Sequence, residues 1–486
     1  MSRAKRLGQF FTPSDVAAAL VQWAVRHSDD RILDPSCGDG EFLGTHESAV
    51  GIELDPTHAA AARLRAPAAL VHQADFFSWA AETHERFEAV VGNPPFIRYQ
   101  GFAGNMRRRA LELANIFGAR LPELTSSWAP FVAASAMLLK PNGRLAFVVP
   151  AEIGHASYAV PLIEALCRRF ETITIVAVRE KMFPELAEDA WLLFASGFGG
   201  QTTHVALAAT DRFDCKQPIP SQLTRIPVDA LHAARGRIRR WLLPNNVLSL
   251  YQYFEAHDSV ERLGDVADIN IGYVSGANDF FHLRPSEARR WRIPEHMLKV
   301  AVRKGASLPD KTSLTHADVR RWIDNDDPVM LLHITRDHAK LPKAITKYLE
   351  SPLGREVREA YKCRVRDPWY CVPDVRVLHG FLTYMSGERV QLIRNSAGCV
   401  ATNSVHVVKM KTGNAFSQMQ QRFANALTNL SCEVEGHPLG GGMLKVEPRE
   451  AQRLLLPSKS LQGEIMNVAA ALEEGVNVMK RWRHYA

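Results

Sequence analysis

Four short apolar runs in the first hundred residues each stop on one polar side chain, and that recurrence restricts the chain to few folds. The runs are Ile32-Leu33 ending at Asp34, Ala49 to Ile52 ending at Glu53, Ala69-Leu70-Val71 leading to Asp75, and Phe87 to Val91 followed by Gly92-Asn93. Apolar strands without polar alternation are covered on both faces, as in parallel sheets flanked by helices. Turn formers and helical stretches separate the runs, so the alternation predicts an α/β doubly wound sheet. The carboxyl ends of strands in such a sheet share one crevice, where Asp34, Glu53, Asp75 and Asn93 are expected to meet.

The residues that follow each strand give the crevice its chemistry. Asp34-Pro35-Ser36-Cys37-Gly38-Asp39-Gly40-Glu41-Phe42-Leu43 reads as a strand end, a tight glycine turn and the start of a helix. Leu43 stands where the dinucleotide fingerprint needs its third glycine, which disfavours NAD. Glu53 is placed to accept from ribose hydroxyls. Asp75 can accept from an adenine amino group, with Phe76 flanking the base. Six residues, Gly44 to Ala49, separate Leu43 from Val50. A parallel crossover needs about a dozen in all, so its helix must be short and the face it covers thinly packed.

Gly92-Asn93-Pro94-Pro95-Phe96 is the most informative stretch for function. Proline fixes its own φ and keeps the preceding residue extended, so the loop is stiff. Neither proline offers an N–H, which leaves the Asn93 side-chain oxygen and the Pro94 carbonyl as acceptors. Two acceptors suit an NH2 group. Hydrogen bonds accepted from an aromatic amine favour a more tetrahedral nitrogen with its lone pair free to attack, and Phe96 can stack on the base. Asn-Pro-Pro also makes an ordinary turn, so the loop gains meaning from what surrounds it.

In this order the motifs resemble the class I S-adenosylmethionine-dependent DNA methyltransferases, specifically the gamma class of adenine-N6 enzymes. Gly8 to Pro13 resembles the N-terminal motif that closes over the methionine end of the cofactor, with Phe11, Thr12 and Pro13 as its contacts. Asp34, Cys37, Gly38 and Gly40 match the glycine loop, and Glu53, Asp75 and Phe76 match the ribose and adenine positions. Asn93, Pro94, Pro95 and Phe96 match the catalytic loop, in the form that points to adenine rather than cytosine. Lys181-Met182-Phe183-Pro184 resembles the segment whose aromatic ring stacks on the extruded base, making Phe183 a further candidate. The resemblance covers about the first 200 residues and implies a class I methyltransferase doubly wound sheet, direct methyl transfer without metal, and a flipped adenine. Because the first motif begins at Gly8, no nuclease domain is expected before it. The implied partners are double-stranded DNA and a separately encoded restriction endonuclease or defence proteins. Methyltransferases of RNA amino groups or protein glutamine remain alternatives, as does a non-catalytic DNA-binding subunit.

Local signals fill in the frame. Thr12 is a candidate N-cap, with Pro13 at the first helical position and Asp15 as capping partner, for a helix through about Val25. Val16, Leu20 and Trp23 fall at helical spacing and are expected core. Trp128 to Lys140 predicts a helix, Leu145 to Pro150 a buried strand, and Ala190 to Phe194 another.

Length calls for a second domain, and charge divides with it. Residues 1–200 hold 19 Lys and Arg against 22 Asp and Glu, while residues 201–486 hold 40 against 30. The expected organisation is a catalytic domain over 1–225, a basic linker over 226–245 and a mixed α+β target-recognition domain over 246–486. A basic excess beside these motifs favours a polyanion. Arg237, Arg239 and Arg240 are candidate phosphate contacts near the junction. Further on, Ile269-Asn270-Ile271 predicts a strand. The stretches around Tyr273 and Asn278, around Arg364, Arg366 and Trp369, and around Asn403 resemble recognition regions that read base edges. The seven cysteines are scattered without C-x-x-C spacing, which suggests neither metal nor a disulfide framework. A cytoplasmic protein is expected, since no signal pattern and no apolar stretch near 18 residues occurs.

Overall fold

The computed structural model describes residues 12–97, 101–183, 189–308, 310–336, 340–413, 415–439 and 441–485. It divides into two units, Met1–Leu243 and Pro244–Ala486.

The first unit is built on a nine-stranded sheet: β1 (Ile32–Asp34), β2 (Ala49–Glu53), β3 (Leu70–Gln73), β4 (Phe87–Gly92), β5 (Leu139–Pro150), β6 (Phe170–Val178), β7 (Ala190–Phe198), β8 (His204–Thr210) and β9 (Thr224–Pro227). Their order is β3-β2-β1-β4-β5-β7-β6-β8-β9. Strands β1 to β5 run parallel, and β7 is antiparallel between β5 and β6. The chain winds outward from β1 to β3, then returns to the other side of β1 at β4. That reversal opens a crevice at the carboxyl ends of β1 and β4.

Helices α1 (Ser14–Ala24), α2 (Pro56–Arg65), α3 (Phe76–Glu82), α4 (Gly104–Ile116), α5 (Trp128–Ala136), α6 (Ala159–Cys167) and α7 (Val228–Ala233) accompany the sheet. In α1, Val16 and Leu20 are buried and Trp23 packs partly against the same core. The helix begins one residue later than the capping signal predicts: Pro13 is the N-cap, and no side chain caps it. Asp15 binds the N–H of Val16 instead, and Thr12 is freed for a different role.

The short crossover from β1 to β2 contains no α-helix, only a 3-10 turn at Leu43–Thr45. Its two apolar residues do the covering. Phe42 and Leu43 are buried against α1 and α2 residues Val16, Leu20, Ala59 and Ala62. They reach the sheet because Gly51, in the middle of β2, has no side chain. A Cβ there would lie 2.6 Å from Leu43 Cδ1 and 2.8 Å from Cys37 Sγ.

The stretch expected to be a basic linker is structured, and all of it up to Leu243 lies inside the first unit. It forms the end of β9, helix α7 and a 3-10 turn at Ile238–Leu242. Arg237, Arg239 and Arg240 are buried there, and Arg237 Nη1 donates to the His155 carbonyl at 2.7 Å. As placed, these guanidinium groups are buried and do not face solvent.

The second unit is mixed α+β. Its five-stranded sheet has the order Ala267–Ile271, Val405–Met410, Gly380–Thr383, Leu392–Asn395, Ser313–Leu314, and it includes the strand expected at Ile269-Asn270-Ile271. One core lies on that sheet around Leu263, Val408 and Leu444, and a second gathers Phe280, Phe281, Tyr348 and Val400. Among the described residues no helix is long and apolar enough to cross a membrane.

Overpacking a filled core costs about 1–3 kcal/mol. Gly51→Ala is therefore expected to destabilise the protein by that amount in urea unfolding; an unchanged midpoint would show that the crossover is not packed as described.

Candidate active site

The end of β1 sets the crevice from beneath. Asp34 is 1 % exposed, and its Oδ1 accepts from the Ser36 N–H at 3.1 Å, which turns the chain into the glycine loop. Burial pushes its carboxyl up to about 8, helped by the nearby Glu53 carboxylate, which favours the neutral acid. Cys37 is buried in the core, where burial raises its thiol, and its N–H donates to the Ile52 carbonyl. Gly40 packs against Ala62. Three of the expected cofactor residues, Asp34, Cys37 and Gly40, thus shape the loop without lining the cavity above it.

That cavity, of about 290 Å³, brings together Gly38, Glu53, Asp75, Phe76, Asn93 and Pro95. Glu53 is 6 % exposed and clamps the loop to β2: Oε2 accepts from the Gly38 N–H at 2.9 Å and Oε1 from the Asp55 N–H at 2.7 Å. Burial raises its pKa, opposed by these two N–H groups and by His58. Asp75 caps α3, its Oδ1 accepting from the Ser78 N–H at 2.8 Å and the Ser78 hydroxyl at 2.7 Å. Among the described residues its Oδ2 has no hydrogen bond. Phe76 stacks on Phe131 with centroids 5.1 Å apart, forming an apolar wall.

The Asn93 loop is held from three sides. Asn93 Nδ2 donates to Thr12 Oγ1 at 3.2 Å, and Ser36 Oγ donates to the Asn93 carbonyl at 3.4 Å. The third hold is Ser127, fully buried at the start of α5. Its hydroxyl donates to the Pro95 carbonyl and accepts from the Ile97 N–H at 2.9 Å, while its own N–H donates to the Ile97 carbonyl at 2.9 Å. Pro94 is buried. Phe96 is half-buried against the cluster that holds Phe183, which is 7 % exposed and packed among core residues. Pro13 sits beside Thr12 at the head of α1. Phe11 and Pro184 lie outside the described residues.

Several lining residues escape a motif reading, among them Leu54, Asp55, Phe102, Met106, Ser127 and Phe131. Asp55 had a visible signal: Asp-Pro directly after the Glu53 strand is an N-cap pattern, and Asp55 Oδ1 does accept from the Thr57 N–H at 2.8 Å. Ser127 carries no such mark, because its partners lie about 30 residues upstream.

In the second unit, the three stretches singled out for base reading converge. Arg366 Nη1 and Nη2 donate to the carbonyls of Ser275 and Val274 at 2.6 and 2.5 Å. Tyr273 pairs with Thr402 across a β-bridge, and the Asn403 N–H donates to the Tyr273 carbonyl at 3.0 Å. The same contacts correct part of the expectation. Tyr273 is 3 % exposed with its hydroxyl bonded to His282 Nε2, Arg366 is spent on backbone carbonyls, and Trp369 packs beside Phe280. These three are scaffold. Asn278, Arg364 and Asn403 are exposed.

Comparison with known proteins identifies what the chain is similar to. The family model described as Type II methyltransferase M.Eco57I, C-terminal domain, matches residues 236–481. Models for the Eco57I restriction-modification methylase and the N-6 DNA methylase match residues 53–183 and 1–62. The Type II methyltransferase M.AccI of Acinetobacter calcoaceticus is 21 % identical over 495 residues, covering 96 % of this chain and 88 % of the relative. M.XamI of Xanthomonas campestris pv. amaranthicola is 22 % identical over 481 residues, covering 94 % and 86 %. Among solved structures, the Type IIL restriction-modification enzyme MmeI in complex with DNA has a TM-score of 0.54 at 12 % identity, covering 96 % of this chain and 71 % of that one, a likeness of fold.

The state of Asp34 has a measurable consequence. Its folded pKa lies above the unfolded value of 3.8, so the native state holds a proton that the unfolded state releases, and stability falls as pH rises from about 4 towards about 8. Asp34→Asn, which keeps the acceptor for Ser36 without an ionisable group, is expected to flatten that decline. Melting without ligand at pH 5, 6.5 and 8 checks it; parallel curves for both proteins would refute the buried neutral acid.

Proposed function

This chain belongs to the family of the Type II methyltransferase M.Eco57I, DNA N6-methyltransferases of restriction-modification type that use S-adenosylmethionine, and we propose that the crevice at β1 and β4 performs the transfer on an adenine turned out of duplex DNA. One observation carries the assignment of roles: Asn93 and the carboxylates Glu53 and Asp75, from the ends of three strands, open on a single cavity. S-adenosylmethionine supplies the methyl group on an electrophilic sulfonium.

The cavity suits that cofactor in the chemistry of its donors and acceptors. Glu53 accepts from ribose hydroxyls while keeping its two backbone bonds, since each carboxylate oxygen has more than one lone pair. Asp75 Oδ2 accepts from the adenine amino group, and Phe76 lies along the base. Thr12 and Pro13 stand toward the methionine end. The bond from Asn93 to Thr12 then couples that end to the catalytic loop.

Asn93 and Pro94 accept from the two hydrogens of the target amino nitrogen, favouring a tetrahedral geometry and stabilising the positive charge that develops during attack. Phe96 stacks on the base, with Phe183 behind it in the same apolar cluster. Ser127 acts through the loop, holding Pro95 and Ile97 so that the acceptors meet the nitrogen in line. DNA is bound by the second unit through exposed Asn278, Arg364 and Asn403, and a separately encoded restriction endonuclease is the expected companion.

Removing one preorganised electrostatic group commonly costs about 10²–10³ in rate. Asn93→Ala is expected to show that loss in methylation of plasmid DNA, read by sequencing for N6-methyladenine, while cofactor affinity stays within about twofold; near-normal turnover would end the assignment. Ser127→Ala is expected to lower kcat by about tenfold, the cost of roughly 1.4 kcal/mol of lost alignment, with KM for cofactor unchanged. A change confined to KM would move Ser127 from positioning to binding.

A further inference from the structure

About half of the basic excess of residues 201–486 is concentrated in one stretch. Residues 340–366 hold eight Lys and Arg against three Glu. This stretch forms three short helices of the second unit, α8 (Lys343–Leu349), α9 (Pro352–Arg358) and α10 (Tyr361–Arg364). Their inner faces are fixed to the aromatic core. Tyr348 stacks on Phe280 with centroids 4.7 Å apart and donates its hydroxyl to the Phe280 carbonyl at 2.7 Å, and Trp291 meets Tyr348 edge-on. Ile345, Leu349 and Cys363 are buried in the same cluster.

The outer face is a wide groove lined by Lys340, Lys343, Lys347 and Arg355, with Glu350 as the acid among its lining residues. All four cations are exposed, and among the described residues none pairs with a carboxylate. Lys343 and Lys347 stand four residues apart on α8, an arrangement of like charges that weakens a helix. Arg355 is steadied by donating Nε to the Glu350 carbonyl at 3.0 Å, which fixes the far wall. A rigid platform that gathers unpaired cations against their mutual repulsion suits a polyanion whose charges are regularly spaced.

Resting on the reading of the chain as a DNA methyltransferase, we propose that this groove grips the phosphate backbone of duplex DNA. Its role is to position the duplex without reading sequence, leaving base edges to other side chains. Each phosphate contact by a lysine releases counterions and steepens the dependence of affinity on salt by about 0.9 per contact.

The test is the double variant Lys343→Gln/Lys347→Gln in the full chain, titrated with a short random-sequence duplex over a range of salt. The slope of log affinity against log salt is expected to fall by about 2, at wild-type melting temperature, and Lys343→Arg/Lys347→Arg is expected to keep the wild-type slope. A Gln variant with the wild-type slope overturns the groove. Methylation of plasmid DNA by the wild type separates the two readings: methylation with an unchanged variant slope defeats the groove alone, whereas a wild type that neither binds nor methylates duplex DNA defeats both.

Discussion

The close approach of β1 and β4 at the centre of the first unit is the constraint from which the site follows. Gly92 makes it possible, because a Cβ there would stand 2.8 Å from Asp34 Oδ1 and 3.1 Å from Phe147 Cε1. With that contact in place, the glycine loop leaves β1 and the Asn93 loop leaves β4 side by side, joined by the bond from Ser36 to the Asn93 carbonyl. Burial in so tight a place raises the Asp34 pKa and favours the neutral acid. The cost of desolvating a carboxyl is thereby exchanged for a fixed turn at the mouth of the cavity.

Much of this was legible in the sequence, and for a physical reason. Parallel strands are apolar along their length and polar at one end, so Asp34, Glu53, Asp75 and Asn93 marked both the sheet and the crevice. What the pattern does not distinguish is a side chain that lines a cavity from one that supports it. Asp34, Cys37 and Gly40 belong to the same motif as Gly38, yet only Gly38 of the four reaches the cavity. Thr12 misled as a cap because its hydroxyl accepts from Asn93, far along the chain, and the helix has Pro13 as its N-cap with no side-chain cap. Ser127 was invisible because its meaning lies entirely in partners far away along the chain.

The second unit was legible in outline only. Its strands are short and belong to several small sheets, so periodicity has little length over which to accumulate. Composition marked the right stretches but confused scaffold with surface: aromatic and basic residues occur in both, and Tyr273, Arg366 and Trp369 were placed inward by contacts that no local pattern encodes. The buried arginines before Leu243 make the same point. Arg239 and Arg240 read as a surface patch and fold into the interior.

The joining of the three stretches in the second unit bears on which changes of sequence they can absorb. Arg366 holds the Val274–Ser275 backbone, and Tyr273 holds both Thr402 and Asn403. An exposed side chain such as Asn278 or Asn403 can be exchanged without disturbing these ties. A new loop length or backbone path in any one stretch pulls on the other two. Exchange of a single exposed side chain is therefore compatible with this lattice of bonds, whereas an insertion in one stretch has to be matched in the other two.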